Sequence, residues 1–120
     1  MPARNFTYRP DLVTSGEKAQ TIRKGHHFKV GDMMYCKEFM RTSRCRALNQ
    51  GPVTEVIPIK WDGDGFDVEL TQTVEWQRDL AWRDGFNSYV EMRNWFRAKY
   101  KEPFDGQIIR WNPERKPNET

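Results

Sequence analysis

An amide bond resists water, and a protein hydroxyl attacks its carbonyl carbon well only when a neighbouring base takes the hydroxyl proton. The string Gly16-Glu17-Lys18-Ala19-Gln20-Thr21-Ile22-Arg23 holds the residue types for that chemistry within one short segment. Thr21 is a candidate nucleophile, and Lys18 a candidate base once desolvation lowers its pKa toward neutrality. A carboxylate such as Asp84 would be the third member, orienting the lysine or delivering a proton to the leaving amine. As an anion beside an ammonium it also raises the lysine pKa and weakens it as a base, so the two roles pull against each other. Arg23 or a backbone N–H is left to steady the oxyanion. Residues three apart on a regular strand face opposite sides, so Lys18 and Thr21 share a site only where the chain bends or bulges; Gly16 supplies a turn just ahead. The plainer alternative makes Lys18 and Arg23 solvated cations, Thr21 a strand former and Asp84 a turn residue before Gly85.

Charge indicates what such a site would meet. Residues 1–46 carry ten basic side chains against four acidic ones, a net of +6, whereas the remainder nets −3. A basic half with interleaved rings, here Tyr8, Phe28, Tyr35 and Phe39, is the footprint of a protein that receives phosphates and stacks bases. Arg41, Arg44 and Arg46 cluster around one hairpin and are the best phosphate candidates, with Arg23 and Lys24 beside the lysine–threonine string. Their alternative role is a charged turn protecting a sheet edge. No metal and no cofactor are expected, because a zinc site would need His26, His27, Cys36 and Cys45 together, and adjacent histidines on an extended chain point apart. The two cysteines form no C-x-x-C pair and read as reduced thiols.

The elements that must position these residues belong to one domain, since 120 residues is an ordinary domain length. Five Trp, seven Phe and four Tyr supply large pieces of core and exclude wholesale disorder. No run approaches the roughly 18 apolar residues of a membrane span, and the first residues have no apolar signal core, so a cytoplasmic protein off the membrane is expected, a monomer by default.

Along the chain, residues 11–16 predict a helical turn closed by Gly16, and residues 19–23 a strand. Gly31-Asp32 marks a turn, residues 33–40 a partly buried strand, residues 41–44 its polar turn, and Cys45 begins the return strand. Val53, Ile57 and Ile59 share one parity, with Glu55 between them, as on a further strand. Asp62-Gly63-Asp64-Gly65 predicts a hairpin to a strand over residues 66–70. Residues 74–82 predict a helix with Trp76, Leu80 and Ala81 inward, broken at Asp84-Gly85-Phe86. Ser88-Tyr89-Val90-Glu91 is a capping box, and Tyr89, Met92, Trp95, Phe96 and Tyr100 form one apolar face of the helix that follows, ended by Pro103. That spacing makes Trp95, Phe96 and Trp111 core residues rather than stacking platforms. A turn and closing strand fill residues 104–111, and residues 112–120 read as a frayed tail. The class is α+β: a small closed or half-closed antiparallel sheet with helices packed on its rim.

The Gly16 to Arg23 string, Val30-Gly31-Asp32, Asp84-Gly85-Phe86 ahead of the Ser88 helix, and the terminal strand together resemble the ASCH domain, a PUA-like RNA-binding β-barrel. The resemblance covers about residues 4–111. It implies a barrel with a basic cleft and, in some members, hydrolysis of the acetyl amide of N4-acetylcytidine; other members look like ribonucleases or plain RNA binders. In the amidohydrolases the catalytic set is a lysine and a threonine of a K-x-x-T string plus a carboxylate before the last helix. Lys18 and Thr21 match, and Asp84 aligns with the acid, where those enzymes carry the longer glutamate. The ranked expectations are an amidohydrolase acting on a nucleoside or RNA, a non-catalytic RNA-binding module, and a ribonuclease.

Overall fold

In the computed structural model, residues 3–6, 8–67 and 73–115 are described. The elements run β1 (Ala3–Asn5), α1 (Pro10–Ser15), β2 (Gln20–Lys24), β3 (Met33–Glu38), β4 (Arg46–Trp61), β5 (Phe66–Asp67), α2 (Val74–Arg83), α3 (Tyr89–Lys99) and β6 (Phe104–Trp111). The strands line up as β1-β3-β4-β6-β2, with β5 also paired to β4.

One strand bends the sheet. The return strand from Cys45 and the strand of Val53, Ile57 and Ile59, read separately from the sequence, are a single 16-residue β4. Its first half pairs with β3, from Arg46↔Glu38 to Pro52↔Met33, and its second half with β6, from Val53↔Trp111 to Trp61↔Phe104. The register shifts between Val53 and Glu55, where one partner gives way to the other. Such a bulge sharpens local twist and curls the sheet. Gly51 lies just before it and must be glycine: a Cβ there would stand 1.9 Å from the Asn112 carbonyl oxygen. That contact also extends the ordered chain past Trp111. Asn112 and Glu114 donate their N–H groups to the Pro52 and Gln50 carbonyls, while residues 116–120 lie outside the described residues.

The architecture is α+β, as expected, and the curled sheet forms a half-barrel rather than a closed one. It departs from the antiparallel expectation at one edge, where β1 runs parallel to β3. The remaining pairs are antiparallel. The expected strand over residues 66–70 is described only as Phe66–Asp67.

Helix ends follow the sequence closely. Gly16 closes α1 at φ 87, and Thr73 and Ser88 accept N–H bonds from Trp76 and Glu91 to cap α2 and α3. The other half of the capping box differs, because the Glu91 carboxylate accepts from the Tyr8 hydroxyl at 3.0 Å instead of reaching back to Ser88. Adjacent residues of β6 serve two cores. Ile108 joins Leu80, Met92 and Phe96 under α2 and α3, whereas Ile109 joins Phe6, Met34 and Trp111 on the other side. Each such fully buried aliphatic side chain stabilises the fold by roughly 1.5–3 kcal/mol relative to exposure. The alternation of Ile108 and Ile109 holds β6 between two layers, and β2, hydrogen-bonded to β6, is thereby fixed as the wall of the site.

Candidate active site

Lys18 does not lie on β2. The Gly16 turn sends the chain back across α1, where the Lys18 N–H donates to the Leu12 carbonyl at 3.0 Å before β2 begins at Gln20. The three-residue parity problem therefore does not arise, since only Thr21 is subject to strand alternation. On β2, Thr21 and Arg23 share a face, and Arg23 Nε donates to Thr21 Oγ1 at 3.0 Å.

Asp84 comes from the end of α2. Its N–H donates to the Leu80 and Ala81 carbonyls at 3.2 Å, and Gly85, at φ +93, turns the chain so that the Phe86 N–H returns to Ala81. Glycine serves best here because the backbone is left-handed; a Cβ at residue 85 would have room, in ordinary contact with Leu12 Cδ1 at 3.4 Å and Lys18 Cδ at 3.5 Å, but would strain the turn. The same turn stacks the Phe86 ring on Tyr8, with centroids 4.3 Å apart.

These segments converge. Lys18, Thr21 and Asp84 are 5 %, 5 % and 4 % exposed, a degree of burial unusual for a lysine and an aspartate. Lys18 Nζ lies 4.0 Å from Asp84 Oδ2 and sits over the rings of Tyr8 and Phe6 at 5.6 and 5.8 Å. All three catalytic candidates line one cavity of about 40 Å³, together with Arg23 and Lys99. At roughly 10–15 Å³ per water, this is room for about three or four waters or a small acyl group.

Burial shifts both titratable groups of the pair. Desolvation pushes the Lys18 ammonium below its ordinary range; Asp84 opposes that shift and Arg23 adds to it. Desolvation likewise raises the Asp84 carboxyl, against the pull of Lys18, the Gln20 hydrogen bond and Arg23. The C-terminal position on α2 adds to this, since the negative end of a helix disfavours an anion. Burial thus moves both groups of the pair toward their neutral forms, while their mutual attraction across 4.0 Å opposes the shift on each side.

Of the binding candidates, Arg23 alone reaches the cavity. Its NH2 also donates to the Asn5 carbonyl at 2.9 Å, so the guanidinium spans the seam between edge strands β2 and β1. Lys24 is exposed at the end of β2 and does not line the cavity. Arg41, Arg44 and Arg46 are exposed on the β3–β4 hairpin, outside the cavity. There Arg44 lies over the Phe39 ring at 4.5 Å, and Arg46 is paired with Glu38. The hairpin nevertheless abuts the cavity wall, because the Met40 N–H donates to Asn5 Oδ1 at 3.3 Å.

Sequence reasoning missed three participants, Gln20, Lys99 and Arg110, whereas Tyr8, read as one of four interleaved rings, lines the cavity. Gln20 is 1 % exposed and bonded to Asp84, and its sequence signal was a polar residue two positions from Ile22 on a buried strand. Lys99 follows Trp95 by one helical turn, with its Nζ 4.8 Å from the indole centre. Trp95, expected in the core, is partly exposed and lines the cavity as well. Phe96 and Trp111 are core, as expected. Among the described residues no cluster of His, Cys, Asp or Glu is placed to hold a metal ion, and no helix is long and apolar enough to cross a membrane. Compared with known proteins, the chain matches no family model, no curated protein and no solved structure.

Proposed function

We propose that this chain is an RNA- or nucleoside-binding domain of the ASCH type, PUA-like in fold, that hydrolyses the acetyl amide of N4-acetylcytidine. The observation that carries the reading is the meeting of Lys18 and Thr21 with Asp84, which is remote from both in sequence, in one buried cavity. The Thr21 hydroxyl attacks the acyl carbon while neutral Lys18 takes its proton. The C–N4 bond then breaks as protonated Asp84 delivers its proton to the departing amine. This leaves a Thr21 acyl ester beside a lysinium–carboxylate pair. Water attacks the ester with Asp84 as base, Lys18 returns a proton to the Thr21 oxygen, and acetate and cytidine are the products. Arg23, whose Nε is 3.0 Å from Thr21 Oγ1, is the side-chain donor assigned to the developing negative charge.

Size divides the substrate. The cavity accepts the acyl group, and the pyrimidine ring stays at the mouth beside Trp95, Lys99 and Tyr100. Cytoplasmic location and a monomeric state go with the proposal. Incubation with N4-acetylcytidine, followed by chromatography for cytidine and acetate, is the test. Release by the wild type and background levels in Thr21→Ala are expected; equal release by both, or none, removes the enzymatic reading.

One observation favours a second reading, a module that binds RNA without chemistry. Both outer contacts of Arg23 are already satisfied within the protein, and the cavity is narrow for a nucleobase. This reading predicts salt-sensitive RNA binding and no product.

A further inference from the structure

Gln20 has every hydrogen-bonding atom of its buried amide committed. Its Oε1 accepts from Arg110 Nε at 2.9 Å, and its Nε2 donates to the Leu80 carbonyl at 3.0 Å and to Asp84 Oδ1 at 3.3 Å. Only one orientation satisfies all three partners. Arginine offers no acceptor and a backbone carbonyl no donor, so a turned amide would set its NH2 against Arg110 and its oxygen against Leu80. Arg110 is itself held from the outer face, its NH1 2.8 Å from Glu55 Oε1.

That fixed orientation has a consequence at Asp84. Because Oδ1 accepts from Gln20, a proton on this carboxyl belongs on Oδ2, the oxygen 4.0 Å from Lys18 Nζ. We propose that Gln20, locked by Arg110, is a positioning residue that dictates which oxygen of Asp84 carries the proton and turns that oxygen toward Lys18. The role of Asp84 as acid rests on the amidohydrolase reading; the orientation of its carboxyl does not. Without Gln20 the carboxyl is free to rotate, and either oxygen carries the proton. The same amide is a second donor to the Leu80 carbonyl, which already accepts from the Asp84 N–H, and so ties the strand bearing Thr21 to the helix end bearing Asp84. The charged and titratable groups facing Asp84 are Lys18 and Arg23 from the β2 side and Tyr8 from the segment before α1.

The test is a carbon-13 NMR titration of the Asp84 carboxyl in the ligand-free protein. Gln20→Met removes a donor that favours the anion, so the Asp84 midpoint should rise by about one pH unit. Arg110→Met, outside the cavity, frees the amide to turn and should move the midpoint the same way. Arg110→Lys keeps a donor and should stay near wild type, as should Glu55→Gln. In the wild type, both Gln20 side-chain amide protons should exchange far more slowly than those of a surface glutamine. Midpoints unchanged in the folded Met variants overturn the proposal. If Gln20→Met does not fold, Arg110→Met and the wild-type amide exchange decide it, and fast exchange overturns it. Absence of hydrolysis of N4-acetylcytidine would remove the amidohydrolase reading and leave these ligand-free readouts untouched.

Discussion

A lysine and an aspartate that burial drives toward their neutral forms leave a signature in stability. Lys18 in the folded chain titrates below its ordinary value of 10.5. Between those two values the unfolded chain binds the extra proton, so this group makes stability rise with pH, by up to about 1.4 kcal/mol per pH unit. Asp84 works in the opposite sense. Its folded carboxyl keeps a proton above the ordinary 3.8, so its contribution falls as pH climbs from there to the raised value. Urea unfolding of wild type and Lys18→Met reports the first effect, with the same pair in an Asp84→Asn background as control, because Lys18 also pulls on the Asp84 carboxyl and on Cys36, the latter pushed up to about 12 by burial. The stability difference should shift in favour of the wild type as pH rises toward 10.5; a constant difference would mean that Lys18 titrates normally. Lys18, Thr21 and Asp84 were legible through the resemblance of the K-x-x-T string and of the carboxylate before the last helix, and their types suit amide chemistry, which needs a nucleophile, a base and an acid. Gln20 and Arg110 were not, since an amide and a guanidinium become part of a site only through a fold that brings β2, β6 and the end of α2 together.

At the scale of elements, two glycines do most of the positioning. Gly16 reverses the chain out of α1 so that Lys18 is presented before β2 starts, and Gly85 turns the chain after Asp84. Gly85→Ala forces a left-handed alanine against the Lys18 stem, and the expected cost is about 1–2 kcal/mol in urea unfolding. A loss near zero would mean that the turn relaxes without strain. Helices were read well because their apolar spacing and caps are local: the stretch from Tyr89 to Lys99 follows from Ser88, Met92 and Phe96 alone. β1 and the unbroken length of β4 were not. Ala3–Asn5 becomes a strand only by pairing with β3, and β4 stays continuous across Gly51-Pro52 because β3 and β6 hold its two halves. The Glu91 carboxylate likewise left its cap for Tyr8, a partner 83 residues away that no local pattern reports.

For the whole molecule, the half-barrel sets its two edge strands side by side with a guanidinium across the seam, and the cavity opens there. The exposed β3–β4 hairpin abuts the same seam through Asn5, and in the RNA-binding proposal a strand runs past it, along Arg41 and Arg44. If each of those two contacts one phosphate, the double change Arg41→Ala/Arg44→Ala should lower the slope of log K against log salt by about 1.4 for single-stranded RNA. An unchanged slope would place the phosphates elsewhere. Arg46, paired with Glu38, should contribute less. The joint action of Lys18, Thr21 and Asp84 on an acyl amide is tested most directly by the pH dependence of kcat/KM for N4-acetylcytidine in the wild type and in Lys18→Met. The account predicts a rising limb well below 10.5 in the wild type and a loss of about 10²–10⁴-fold, with no such limb, in the variant. A variant that keeps both the rate and the limb, or a wild type with no measurable rate at any pH, would contradict it.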